Sequence, residues 1–526
     1  MLHSALGYDG AVSAPHQAAA LAGRDVLRDG GTAIEAMVAA AATIAVVYPH
    51  MNGIGGDGFW LIKQPGKPPV GIFAGGQAAG LATPEWYAAR GHHQAIPTRG
   101  GLAALTVPGT IGGWEAALDV QGTTLPLSRL LAPAIAYAER GIAVTGNQSR
   151  TTAEKLDGLR DVPGFAETFL IGGNVPEAGA HLRQSALART LRHLSDEGLR
   201  AYYDGPLART HAAYLEANGS PLRAEDFKGY AAEKVTPLSL ETSQGRLYNM
   251  IPPTQGVSSL MILGLFDRLG VTTGDGFDHI HGLIEATKQA FLRRNAELGD
   301  HTHMATPAQE WLTDAALDML AARIDRTKAL PWPYEPKEGD TIWMGACDAD
   351  GTVVSFIQSV FWEFGSGLTC PDTGVFFQNR GAGFSLAPGP NQLAPGKRPF
   401  HTLNPAMAEL LDGRVMAYGT MGGEGQPQTQ SAVFTRYVQF GMGLQEAVTA
   451  PRWLLGKTWG QETTSLKLED RFDPDLIAAL RRAGHEVEMI PAYSDLAGHA
   501  GAVVRHPTGL IEAAADPRSD GAAITD

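Results

Sequence analysis

Cysteine is nearly missing from this chain of 526 residues, which holds only Cys347 and Cys370. Two are too few for a disulfide framework, and neither lies in a metal-ligand spacing. Both fall in expected strands and read as small buried hydrophobes of a reducing compartment. Basic residues are also short: 41 Lys and Arg against 55 Asp and Glu leave a formal charge of −14, which argues against nucleic acid or an anionic membrane as partner. There is no run of about 20 apolar residues to span a membrane. The stretch from Met1 to Tyr8 has neither the basic start nor the apolar run of a signal peptide. A cytoplasmic location is therefore expected. No internal repeat or low-complexity tract is evident.

Apolar residues are plentiful at 44%, enough for a deep core. The usual size prior suggests three or four domains, but a layered α/β fold can take up this length as one body. From Ala14 to Val47 the alanine-rich pattern has helical spacing, broken at Asp29-Gly30-Gly31, and predicts two packed helices. Residues 114–120, 125–140, 183–218 and 278–291 also read as helical, and 238–250 as a strand pair turning at Gly245. Within the 278–291 helix, His279 and His281 are two apart, face different sides and make a poor metal pair. The glycine-rich stretch Pro49-His50-Met51-Asn52-Gly53-Ile54-Gly55-Gly56-Asp57-Gly58 follows a helix and precedes a strand. Phosphate loops run the other way and end in Gly-Lys-Ser/Thr, so these glycines read as sites of close backbone approach.

One hairpin stands out. Residues 342 to 347 form a short apolar run, Asp348 to Gly351 is turn chemistry, and Thr352 to Ser359 is a second strand rich in β-branched and aromatic residues. Thr341 stands at its mouth, at the start of a buried strand. Before it, Lys328 to Asp340 carries Pro331, Pro333 and Pro336 among charged residues and reads as an exposed, irregular linker. A threonine hydroxyl is a poor nucleophile until a base takes its proton, and its own α-amine, titrating near about 7.7–8.0, can do so at neutral pH. That amine exists only if the chain is cut between Asp340 and Thr341. Without such a cut, Thr341 merely begins an edge strand.

These residues and their surroundings resemble the γ-glutamyltranspeptidase family, whose precursors cut themselves to expose a catalytic threonine. The resemblance runs through Asp29-Gly30-Gly31-Thr32-Ala33-Ile34-Glu35-Ala36, the glycine-rich stretch to Gly58, Thr106-Val107-Pro108-Gly109-Thr110 and Pro252-Pro253-Thr254-Gln255-Gly256. It continues in Phe364-Gly365-Ser366-Gly367, Pro395-Gly396-Lys397-Arg398-Pro399 and Gly419-Thr420-Met421-Gly422-Gly423. It implies a four-layer αββα sandwich of the N-terminal nucleophile hydrolase type, and processing into residues 1–340 and 341–526, which stay together as a heterodimer, with a dimer of these pairs left open. It also implies Thr341 as nucleophile, Ser359 where relatives carry a second threonine touching it, and Gly422 and Gly423 as an oxyanion hole. Amine, hydroxyl and backbone donors suffice for this chemistry, so no metal or organic cofactor is expected.

The departures from the family carry the specificity. Transpeptidases hold the glutamyl α-carboxylate with an arginine after the first glycine loop, where this chain has Gly71-Ile72-Phe73-Ala74-Gly75-Gly76. They hold the α-amino group with a polar residue and an acid, where this chain has Arg380 and Gly383, and their paired serines are His401 and Thr402 here. A site that has lost the acid and gained Arg380 binds an anion, the guanidinium offering a planar fork to a carboxylate and His401 and Thr402 adding donors. The structural alternative is an ion pair of Arg380 with Glu363 or Glu424. This pattern looks like the oxamate amidohydrolase branch, which hydrolyses oxamate to oxalate and ammonia in purine breakdown. Two other readings compete: a γ-glutamyl hydrolase or transferase acting on glutathione-like amides, and a non-enzymatic protein that uses the cleft for binding. The short Pro/Gly-rich segment 384–397 is a candidate lid.

Overall fold

The computed structural model describes residues 3–332, 340–456 and 463–526, with Asp340 described in its backbone alone. Most of the expected linker, including Pro333 and Pro336, lies outside the described residues. Its start does not stand free: Ala329 N–H donates to Ala483 O at 2.8 Å, and the Leu330 backbone is held by Glu285 and Lys288 at 3.1 and 2.6 Å.

Two seven-stranded antiparallel sheets form the middle of the molecule. The first runs Ala522–Thr525, Gly10–Ala14, Asp340–Asp348, Val353–Phe361, Asp57–Lys63, Val70–Ala74, Glu233–Val235. The second runs Ala5–Gly7, Ile511–Ala515, Ala500–Arg505, Val415–Thr420, Ala406–Leu410, Gly245–Asn249, Leu238–Thr242. The strand carrying Thr341 is the third of seven, so it is an inner strand and not an edge.

Alternation along the strands sorts the layers. Ile342, Met344 and Ala346 face one way, into a core shared with the helices Gln17–Arg28, Ala33–Val47 and Leu127–Arg140. Trp343 and Cys347 face the other way, meeting Met407, Ala417 and Val503 of the second sheet. The second sheet's outer face is covered by Gly256–Leu269 and Phe277–Glu297. The result is helix, sheet, sheet, helix, as period-2 strands with two apolar faces require. The Ala33–Val47 helix is buried on every side, which explains why it is apolar all round. A capping box of Thr32 and Glu35 starts it.

The remaining elements follow the expected order with shifted ends. The 114–120 helix begins earlier, at Thr110, and the 183–218 region is two helices, Ser185–Glu197 and Pro206–Ala217. The strand pair at 238–250 turns at Ser243 and Gln244, with Gly245 opening the second strand. Cys370 lies in irregular chain instead of a strand, though both cysteines are free and buried. Segment 384–397 is packed down: Phe384, Leu386 and Leu393 join the core, and Lys397 Nζ donates to Pro390 O and Gln392 O at 2.8 and 3.0 Å.

Candidate active site

Thr341 is fully buried, two residues before Trp343, which packs between the two sheets. The ladder to Val353–Phe361 breaks register between Asp340 and Ile342, an irregularity of the kind that re-aims a side chain next to an active site. Ser359, buried on the neighbouring strand, accepts the Phe361 N–H at 2.8 Å. Behind it, Gly56 lies so close that a Cβ there would sit 2.1 Å from Ser359 O, and a Cβ on Gly55 would sit 1.9 Å from Phe376 O. The glycine run is therefore a close-approach device, as read from its order in the chain.

Gly422 and Gly423 follow the strand Val415–Thr420 and have φ of 115° and 53°. Both are buried, and no group among the described residues accepts a hydrogen bond from either N–H. Two adjacent buried N–H donors without acceptors are what an oxyanion hole needs. Gly423 O accepts from Gln255 Nε2 at 2.8 Å, and Gln255 Oε1 from Arg294 Nη1 at 2.8 Å, so the loop is pinned from the helix side.

Arg380 opens a short turn beside the end of the Val353–Phe361 strand, because Asn379 N–H pairs with Val360 O and Asn379 Oδ1 accepts the Trp362 N–H. Its guanidinium is fully buried, lies 4.0 Å from the centre of the Phe361 ring, and donates from Nη1 to Thr402 Oγ1 at 3.4 Å. Phe361 takes an unusual φ of 83° there. Nε and Nη2 of Arg380 have no partner among the described residues. Glu363 and Glu424 instead face Lys155 at 3.4 Å and Arg294 at 3.0 Å, so the structural ion pair weighed for Arg380 is not formed. Burial pushes the guanidinium down to about 9, with Asp57 opposing the shift, and it remains a cation at neutral pH.

His401 departs from expectation. Its Nε2 sits 3.0 Å from Asp57 Oδ2, and burial, with Arg380 nearby, lowers its pKa to about 4. The ring is neutral, its one proton is committed to the carboxylate, and Nδ1 is a buried acceptor without a partner among the described residues. It therefore offers the wall a lone pair and not a donor. Thr402 Oγ1 accepts from Arg380 Nη1, so the two stand side by side.

Asp57 has no role in the reading from sequence, although it stands in the quoted glycine run. Its Oδ1 accepts from Gly76 N, Gly109 N and Gln378 Nε2 at 2.9, 3.2 and 3.0 Å, which saturates it and ties three loops to the site. Gln426, whose Nε2 is 3.4 Å from Thr341 Oγ1, was likewise missed. A signal exists: Gln426, Gln428 and Gln430 are all buried in one short helix, a composition no ordinary core requires. Away from the site, His279 and His281 do diverge, to Thr435 and His485. His281, Glu285 and His485 form the one cluster of metal-ligand type among the described residues. Its atoms are engaged with each other, with Lys288 and with the Asp325 and Leu330 backbone.

The family model described as Gamma-glutamyltranspeptidase matches residues 19–525. An oxamate amidohydrolase proenzyme of Klebsiella pneumoniae is 54% identical over 519 residues, 98% of each chain. A glutathione hydrolase-like proenzyme of Bacillus subtilis is 39% identical over the whole of both chains. Among solved structures, a cephalosporin acylase from Bacillus halodurans superposes with a TM-score of 0.91 at 32% identity, covering 99% of this chain and 96% of its own. With the αββα sandwich and a buried threonine opening an inner strand, this chain belongs to the gamma-glutamyltranspeptidase family.

Proposed function

We propose that this enzyme, an amide hydrolase made as a proenzyme, cuts itself before Thr341 and hydrolyses a small carboxylate amide, with oxamate as substrate and oxalate and ammonia as products, in purine breakdown. The observation that carries the reading is the buried Arg380 fork, whose Nε and Nη2 lack partners among the described residues. A buried cation in that state is stabilised by an anion that accepts both N–H groups. The neutral His401 Nδ1 supports the same reading, because an acceptor beside the fork suits the N–H of an amide and not a second carboxylate. The oxamate-named relative supports it independently.

In this mechanism the chain is cut into 1–340 and 341–526, which stay together as a pair. The Thr341 α-amine takes the hydroxyl proton while Oγ bonds to the amide carbon. The carbonyl electron pair moves to oxygen, where the N–H groups of Gly422 and Gly423 meet the charge. Ser359 holds the nucleophile from the neighbouring strand. Collapse expels ammonia, which carries away the proton held by the amine. Water then attacks the ester by the same route, releasing the acid and restoring Thr341. A panel of oxamate, glutamine and a γ-glutamyl anilide tests the reading: oxamate should be preferred, and preference for the anilide would replace it with a γ-glutamyl activity.

A further inference from the structure

We infer that Gln426 is a further catalytic residue, an N–H donor aimed at the Thr341 hydroxyl oxygen, and that Asn404 is the positioning residue that fixes its direction. The inference rests on Thr341 as nucleophile but not on the identity of the substrate.

Amide groups have two faces, and a backbone carbonyl decides which one Gln426 shows. Asn404 Nδ2 is 2.9 Å from Thr402 O, a group that can only accept, so this atom is the Asn404 nitrogen. Its oxygen, on the other side, accepts from Ser259 Oγ at 2.7 Å and Asn249 Nδ2 at 3.4 Å. The same Asn404 nitrogen lies 3.0 Å from Gln426 Oε1, which must therefore be the oxygen. The Gln426 nitrogen is left facing Thr341 Oγ1 at 3.4 Å. Asn404 and Gln426 are both fully buried, so no water competes for these bonds. Gln430 Nε2 donates to Asn404 O at 2.6 Å and holds the relay to the helix Gln426–Phe434.

A nucleophile oxygen that accepts from Gln426 must send its own proton elsewhere, toward the base. As that proton leaves, charge grows on Oγ, and a fixed N–H donor stabilises it more than it stabilises the resting hydroxyl. The donor acts in both reactions of Thr341: in turnover the Oγ proton goes to the α-amine, and in self-cleavage, where Oγ bonds to the Asp340 carbonyl carbon as the Asp340–Thr341 C–N bond breaks, it ends on the departing Thr341 nitrogen, water then hydrolysing the ester.

The test uses full-length Gln426→Met, Gln426→Glu, Asn404→Asp and the double variant Gln426→Met/Asn404→Asp beside the parent and Thr341→Ala. The substrate-independent readout is the first-order rate at which the 526-residue chain is converted to two. The second is oxamate kinetics on cleaved protein. Gln426→Met should slow self-cleavage at least about tenfold and lower kcat on oxamate by roughly 10- to 100-fold, with KM within about twofold, since the lost bond goes to the enzyme's own nucleophile. Asn404→Asp keeps the acceptor for Ser259 but loses the donor to Gln426, and its loss should not multiply with that of Gln426→Met. If Gln426→Met does not accumulate folded, the isosteric Gln426→Glu, which can still accept from Asn404, should show the same slowing. Parent-like cleavage and kcat in either Gln426 variant, a change in KM alone, or multiplicative losses would overturn the inference. Cleavage of Thr341→Ala at the parent rate would instead overturn the reading of the nucleophile, and parent cleavage without oxamate turnover would remove only the substrate.

Discussion

Arg380 holds a charge in a place where nothing among the described residues neutralises it fully, and its effect on activity follows from that. Losing one partner of a buried, hydrogen-bonded charge pair costs on the order of 2–5 kcal/mol. Arg380→Ala should therefore lower kcat/KM for oxamate by roughly 30-fold or more while self-cleavage continues. Arg380→Lys should recover only part, because an ammonium cannot reproduce the fork. Parent-rate turnover by Arg380→Ala would mean that the carboxylate is held elsewhere. Gly383 offers the reverse experiment. A Cβ there would meet nothing nearer than Phe400 O at 3.7 Å and the Phe361 ring at 4.0 Å, the ring that carries Arg380 on its face. Gly383→Asp should fold, place a carboxylate near the guanidinium and abolish oxamate turnover by occupying it; oxamate kinetics beside a melting curve separate this from loss of structure.

At the scale of the elements, the Thr341 strand is held against the second sheet by Trp343. The indole donates to Ser355 Oγ at 3.0 Å, and glycines give it room: a Cβ on Gly419 would lie 2.1 Å from Trp343 Cδ1, and one on Gly501 2.6 Å from its ring. Gly419→Ala must push the sheets apart, and overpacking of this kind costs about 1–3 kcal/mol. Gly419 also leads into the Gly422–Gly423 loop, so slower self-cleavage should accompany a lower urea midpoint. A variant with the parent's midpoint would show that the sheets yield without cost. The hairpin itself was legible in the sequence, because alternation and an Asp-Gly turn are local. That its first strand is buried was legible too, from its apolar run; that it pairs with Gly10–Ala14 was not, since that neighbour comes from the other end of the chain.

For the whole molecule, two tests stand apart from the site. Intact mass should find two polypeptides, 1–340 and 341–526, that stay together in reductant, as two free buried cysteines allow, and Thr341→Ala should remain one inactive chain. Recovery of only uncut, active protein would contradict the mechanism. The second test is pH. His16 and His401 are lowered to about 4, and His50, His211 and His485 to about 3, in each case chiefly by burial. Unfolded, each binds its proton near pH 6.5, so between that value and the folded pKa the unfolded chain holds more protons. Stability should be full above about pH 6.5 and fall as the pH drops, at up to about 1.4 kcal/mol per pH unit for each such ring. Urea midpoints at pH 7.5, 6 and 5 check this, and a flat response would show that the rings reach solvent.

The sequence by itself determined the hairpin, which local periodicity carries, and through contiguous blocks that resemble a family it pointed to the layered fold, the threonine and the glycine pair. It also pointed to Arg380 through what the chain lacks beside it. Only the tertiary structure decided what those residues touch. Asp57 and His401 are 344 positions apart, and Gln426 and Thr341 are 85 apart. No spacing rule reaches across such distances, and the direction of a histidine proton or an amide nitrogen is set by the partner opposite it, which the fold alone supplies.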